Sequence, residues 1–128
     1  MKQLIYILIF VRMAIPVFGQ SVVTGYVFED LNSNGKKDRK EKGIAQVAVS
    51  NGREVSVTDA SGKYQLPVEG DNIIFVVKPA GYKTPLDEFN NSCSYYIHKP
   101  EGSPDSRYKG VQPTGKLPAS VDFALNKY

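Results

Sequence analysis

The chain has 128 residues and 14.2 kDa, with 41% hydrophobic and 23% charged residues, which suits one globular domain and not two. That balance excludes long disorder and a polytopic membrane protein. A single Cys excludes an internal disulfide framework and a zinc ribbon, and a single His excludes a multi-histidine metal or catalytic centre. Composition therefore argues against most enzyme classes. Eight Tyr and six Phe supply the bulk for one modest core.

In chain order, the first element is not part of the fold. Met1-Lys2-Gln3 precedes the apolar run Leu4–Val11, and Val17-Phe18-Gly19 follows. A cationic start, a short apolar run and small residues before a cleavage point predict a signal peptide over residues 1–19, with Gln20 as the new terminus. A membrane anchor needs about 20 apolar residues, and Arg12 and Pro16 interrupt this run. No Cys follows the cleavage point, so no stable anchor is expected once the peptide is removed. Residues 1–19 hold Lys2 and Arg12 and no acid, so their loss lowers the net charge from +3 to +1. The mature domain, residues 20–128, is then nearly neutral, which speaks against a nucleic-acid partner. It works outside the cytoplasm, in the periplasm, on the cell surface or free. A lone Cys93 is tolerable there if buried.

The remaining elements read as short strands. Val22–Phe28 is rich in β-branched and aromatic residues, and Ile44–Val49 alternates. Ser50-Asn51-Gly52-Arg53 joins it to Glu54–Thr58 as a tight hairpin, with Asn-Gly suited to a type I′ turn. Asp59–Gly62 turns into Lys63–Val68, and Glu69–Asn72 turns into Ile73–Lys78. That last run is continuously apolar and predicts a central strand. Tyr95–Ile97 and Val121–Leu125 complete the set. About seven strands with turns every 8–12 residues predict an all-β, antiparallel, immunoglobulin-like or transthyretin (prealbumin)-like β-sandwich. Pro79–Pro118 holds most of the prolines. It predicts a long ordered loop region crossing the sandwich, pinned by Tyr82, Phe89, Tyr95, Tyr96 and Tyr108.

The strongest motif lies between the first two strands. Asp30-Leu31-Asn32-Ser33-Asn34-Gly35-Lys36-Lys37-Asp38-Arg39-Lys40-Glu41 fits D-x-[DN]-x-[DN]-G-x₅-E in full. Ca²⁺ takes six to eight hard oxygens, and a tight loop points alternate side chains inward. Asp30, Asn32 and Asn34 offer side-chain oxygens and Lys36 its carbonyl. Asp38 acts directly or through water, and Glu41 closes the site. Gly35 permits the bend. The alternative is a polar turn that happens to be rich in Asp, Asn and Gly. The flanks are strands, so no helix–loop–helix switch is implied. Lys36, Lys37, Arg39 and Lys40 point outward but weaken the field, so binding is expected near the millimolar end, with a stiffening role.

Other motifs fail. Gly110–Lys116 resembles the start of a P-loop, but Leu117 replaces the Mg²⁺-binding Ser or Thr, and Pro118 breaks the following helix. No G-x-S-x-G elbow exists. Cys93 and His98 fall on opposite faces of an extended segment, so a buried Cys and a surface His are expected. The lysines at 36, 37, 40 and 42 are interleaved with acids and read as a solvated loop.

Two resemblances follow from these residues. The loop Asp30–Gly43 resembles the B-type repeats of bacterial surface adhesins. The turn Thr58–Leu66 resembles transthyretin-like or carboxypeptidase-regulatory-like domains. Three segments of the second half narrow this: Val77–Tyr82, Tyr96–Pro104 and Pro113–Phe123. In this order they look like the N-terminal domain of secreted bacterial calcineurin-like phosphoesterases, across nearly all of residues 20–128. That resemblance implies a sandwich preceding a dinuclear metallophosphoesterase domain, joined in cis or in trans. The several His and Asp of such a centre have no match here, so no catalytic residue carries over, and the chain is expected to be a standalone accessory domain or a truncated product. The reading is an exported, non-catalytic accessory domain with a structural Ca²⁺ loop at Asp30, Asn32, Asn34, Lys36, Asp38 and Glu41. The alternative is a cell-surface adhesive or glycan-binding module.

Overall fold

The structure, a computed structural model, describes residues 21–128. The signal peptide expected at residues 1–19 lies outside the described residues. The strands are β1 (Ser21–Glu29), β2 (Ala48–Ser50), β3 (Val55–Val57), β4 (Lys63–Val68), β5 (Asn72–Val77), β6 (Tyr82–Lys83), β7 (Tyr95–His98) and β8 (Phe123–Lys127). They form two four-stranded sheets, in the orders β4-β1-β8-β6 and β3-β2-β5-β7. The fold is the all-β sandwich that the strand pattern predicts. Among the described residues no helix is long and apolar enough to cross a membrane.

The core follows from period-two alternation. In β4, Tyr64, Leu66 and Val68 point inward while Lys63 and Gln65 face water. Val23 and Val27 of β1, Val49 of β2, Ile74 and Val76 of β5, Phe123 and Leu125 of β8, and Val47 and Val121 just before β2 and β8 complete it. The Tyr64 and Phe123 rings stack with centroids 6.0 Å apart. Each fully buried Val, Leu, Ile or Phe contributes about 1.5–3 kcal/mol of transfer free energy.

The details depart from expectation where long-range contacts decide. The described residues form eight strands; β6 has only two residues and so carries no periodic signal. One pairing is parallel: Val27, Phe28 and Glu29 of β1 lie beside Phe123, Ala124 and Leu125 of β8. The strand expected at Ile44–Val49 begins only at Ala48. Ile44 still bonds to Val27 of the first sheet, and Gln46 takes a φ of 59° as the chain crosses to the second.

The Asn-Gly hairpin also differs. Its loop is four residues, Asn51–Glu54, between the paired Ser50 and Val55, and there only Gly52 has positive φ. A type I′ turn needs positive φ at both centre positions. Instead the Asn51 side-chain oxygen accepts the Arg53 and Glu54 amides at 2.9 and 2.7 Å. Its amide nitrogen donates to the Pro67 carbonyl at 2.8 Å.

β5 is interior to its sheet, as expected, but is not buried on both faces. Ile74 and Val76 face the core, whereas Ile73 and Val77 are each 52% exposed. The segment Pro79–Pro118 does cross the sandwich, placing β6 in one sheet and β7 in the other. Of its aromatics, Tyr82 and Tyr96 pack against the core, but Phe89, Tyr95 and Tyr108 are exposed. Tyr95 precedes Tyr96 on β7 and so must point to the opposite face. Cys93 is exposed, not buried, because it precedes β7 in a loop. His98 is buried, not on the surface, because its position aligns with the inward Tyr96.

Candidate metal-binding loop

The loop from Asp30 to Gly43 leaves the end of β1 and returns beside it. Glu29 donates its amide to the Lys42 carbonyl, Ile44 donates to Val27, and Phe28 bridges to Gly43. Return at this point requires glycine: a Cβ on Gly43 would fall on the Ser61 carbonyl, far inside van der Waals contact. The loop covers the outer face of β1. Phe28 points away from the main core yet is fully buried, and the Lys37 ammonium lies 5.6 Å from the centre of the Tyr26 ring on the same face.

Within the loop, the Asp30 and Glu41 carboxylates are buried, Asp38 is half-buried, and Leu31–Lys37, Arg39 and Lys40 are exposed. Asp30 is 5% exposed and Glu41 4%. Asp30 Oδ2 accepts the Gly35 amide at 2.8 Å, which the positive φ of Gly35 makes possible. Asp30 Oδ1 is buried with no hydrogen-bond partner. Glu41 Oε2 accepts the Leu31 amide at 2.6 Å, and its Oε1 accepts the Asp38 amide at 2.8 Å. The ion pairs found among the described residues are Lys99–Asp71 and Lys127–Glu29, so neither buried carboxylate has a lysine or arginine partner. The motif's Lys36, Lys37, Arg39 and Lys40 all stand on the surface.

The remaining motif residues are brought to the same loop. Asn32 Oδ1 accepts the Asn34 amide at 3.2 Å, and Asn34 Oδ1 accepts the Lys36 amide at 2.9 Å. Both side-chain nitrogens donate to Asp38 Oδ2, at 2.7 and 3.1 Å. Among the described residues no three His, Cys, Asp or Glu side chains gather closely enough to hold a metal alone. Any cation here needs the mixed set of carboxylate, amide and backbone oxygens. These are the hard donors that Ca²⁺ prefers. An open pocket of about 440 Å³ borders Asn32, Asp38 and Glu41 on one side of the loop, but Asp30 and Asn34 do not line it.

Sequence reasoning missed how the loop is anchored. The Asp30 amide donates to the Leu125 carbonyl, and the Asp30 carbonyl accepts the Asn126 side-chain amide, both at 2.8 Å. Asn126 lies 96 positions away, so no local pattern reveals it. A groove of about 620 Å³ runs beside this anchor, between Leu31 and Leu86 with Lys83 and Lys127 along it. Cys93 and His98 are not brought together as a dyad: one is exposed and the other buried.

Serine-aspartate repeat-containing protein C of Staphylococcus aureus strains Newman, USA300 and COL is 45% identical over 65 residues. The match covers 44% of this chain and 7% of each relative, so the chain spans under a tenth of those relatives' length. A family model described as the N terminal of calcineurin-like phosphoesterase matches residues 31–113, from the candidate loop through β7 and beyond. The chain belongs to that family of phosphoesterase N-terminal domains.

Proposed function

We propose that this chain is an exported, non-catalytic accessory domain whose Asp30–Glu41 loop binds Ca²⁺ weakly and is stiffened by it. The observation that carries the metal reading is the buried Asp30 Oδ1 without a partner, in a loop that also buries Glu41 without a counter-charge. Burying a carboxylate costs several kcal/mol unless it is paired, bonded or on a metal. Backbone amides meet part of this need at Glu41 and at Asp30 Oδ2. A cation at Asp30 Oδ1 meets the rest. Asn32, Asn34 and the Lys36 carbonyl complete the set, with Asp38 direct or through water. Binding then requires the Asn32 and Asn34 side-chain oxygens, which accept the Asn34 and Lys36 amides, to turn to the cation, which keeps affinity low.

The family's position ahead of a phosphoesterase supports a partner role: orienting or supporting such a catalytic domain, in cis or in trans. Titrating the purified chain with Ca²⁺ by calorimetry should give millimolar-range binding and a rise in melting temperature. Asp30→Asn should remove both. No calcium heat and no thermal shift would sink the metal reading. A phosphatase assay with added divalent metals should read background; activity would sink the non-catalytic one. A second reading, an adhesive or glycan-binding module, is favoured by the likeness to serine-aspartate repeat-containing protein C and by the exposed Tyr95 and Tyr108. Binding on a glycan array would support it.

A further inference from the structure

The chain holds two Asn-Gly pairs, Asn34-Gly35 and Asn51-Gly52. An Asn before Gly is open to attack on its own side chain, because no Cβ shields the next backbone nitrogen. The fold treats the two pairs in opposite ways. Asn51 is 9% exposed and held at both side-chain atoms: Oδ1 accepts the Arg53 and Glu54 amides, and Nδ2 donates to the Pro67 carbonyl. The Gly52 amide donates to a neutral group, the Ser50 hydroxyl, at 3.0 Å. Asn34 and Gly35 stand on the surface, and each atom that cyclisation uses has a suited partner. The Gly35 amide, the nucleophile, donates to the Asp30 carboxylate at 2.8 Å, which can receive its proton. Asn34 Oδ1, where negative charge gathers as Cγ becomes tetrahedral, accepts the Lys36 amide at 2.9 Å. Asn34 Nδ2, the leaving nitrogen, donates to Asp38 Oδ2 at 3.1 Å.

We propose that Asn34 is a self-modifying residue, converted without an enzyme to aspartate or isoaspartate. The Gly35 nitrogen releases its proton along its bond to Asp30 and forms a bond to Asn34 Cγ. The Cγ–Nδ2 bond breaks, Nδ2 takes a proton from solvent, and ammonia leaves a succinimide ring behind. Water then opens the ring at either carbonyl, so the net change is water gained and ammonia lost. One opening gives aspartate at position 34. The other gives isoaspartate, whose backbone is longer by a methylene. Both products add a negative charge to the loop. The consequence for the metal rests on the calcium reading above: aspartate is the other residue that the motif admits at this position, and a carboxylate there strengthens the donor set. Conversion to aspartate therefore tightens the site with time. Asn51, buried and held at both atoms, stays as encoded.

The test incubates the purified chain at neutral pH without calcium, folded in buffer and unfolded in urea, and reads amide-to-acid conversion by peptide mass spectrometry. Folded, Asn34 should convert at least as fast as in urea, whereas Asn51 should convert several-fold more slowly than in urea. Gly35→Ala, whose methyl meets no other atom within 4 Å but shields the nitrogen, should slow conversion at Asn34 several-fold. Slower conversion of Asn34 in the folded protein than in urea, equal folded rates at Asn34 and Asn51, or a rate indifferent to Gly35→Ala would each overturn the proposal. These rates are read without calcium, so they stand or fall apart from the calcium reading. Calorimetry of Asn34→Asp should then give several-fold tighter Ca²⁺ binding than the parent. Calcium bound equally by both would overturn the tightening, whereas calcium bound by neither would overturn the calcium reading on which that tightening rests.

Discussion

Tyr64→Phe isolates one buried hydrogen bond. The Tyr64 hydroxyl donates to the Val121 carbonyl at 2.6 Å, joining β4 to the segment that leads into β8. The substitution removes one oxygen and leaves the ring on Phe123. It strands a buried carbonyl, which costs about 1–3 kcal/mol. For a domain of roughly 100 residues this lowers Tm by about 5–15 °C. The alkaline limb of the stability profile supplies a second test. Burial, with the Asp122 charge adding, holds the Tyr64 hydroxyl far above its ordinary pKa of 10.0. The raised value means the folded protein keeps the proton after the unfolded chain has released it. The stabilisation is therefore complete below pH 10 and is lost as pH rises toward the folded value. One such proton steepens the decline by up to about 1.4 kcal/mol per pH unit. Urea unfolding of both proteins at pH 7 and from pH 9.5 to 11.5 measures both effects. A loss below about 0.5 kcal/mol at pH 7, or an alkaline slope unchanged in Tyr64→Phe, would refute the reasoning.

Three further outcomes are expected. Gly43→Ala should cost more than about 3 kcal/mol in chemical denaturation, because the added methyl meets the Ser61 backbone and not a yielding side chain. Asn51→Ala should cost about 1–2 kcal/mol by removing the acceptor of two loop amides and the tie to Pro67. Asp59 is held below its ordinary pKa of 3.8, first by the Ser61 hydroxyl and then by the Lys63 amide. Its contribution is therefore present at neutral pH and lost as pH falls through the lowered value. A carboxyl NMR titration should place its midpoint below 3.8, and Ser61→Ala should move it upward.

Much of the fold was legible because half-buried strands print their alternation locally. β4 matches its predicted span because Lys63–Val68 alternates cleanly between turns at Asp59–Gly62 and Glu69–Asn72. β5 shows the limit. An unbroken apolar run reads as a doubly buried strand, yet among the described residues Ile73 and Val77 on its outer face stay exposed. Periodicity does not report what lies across a face.

The loop divides in the same way. Its residue types and spacing determine that Asp30, Asn32, Asn34, Asp38 and Glu41 share one tight turn, because oxygens at alternate positions and Gly35 are local properties. Only the tertiary structure decided which of them are buried. Asp30 and Glu41 are buried where β8 anchors the Asp30 backbone and the loop returns beside Phe28. Cys93 and His98 exchanged their expected places for a related reason: β7 begins after one and aligns the other with Tyr96. Local chemistry is written in neighbours along the chain, whereas burial, and with it the strength of each charge, belongs to contacts that close across some 96 residues.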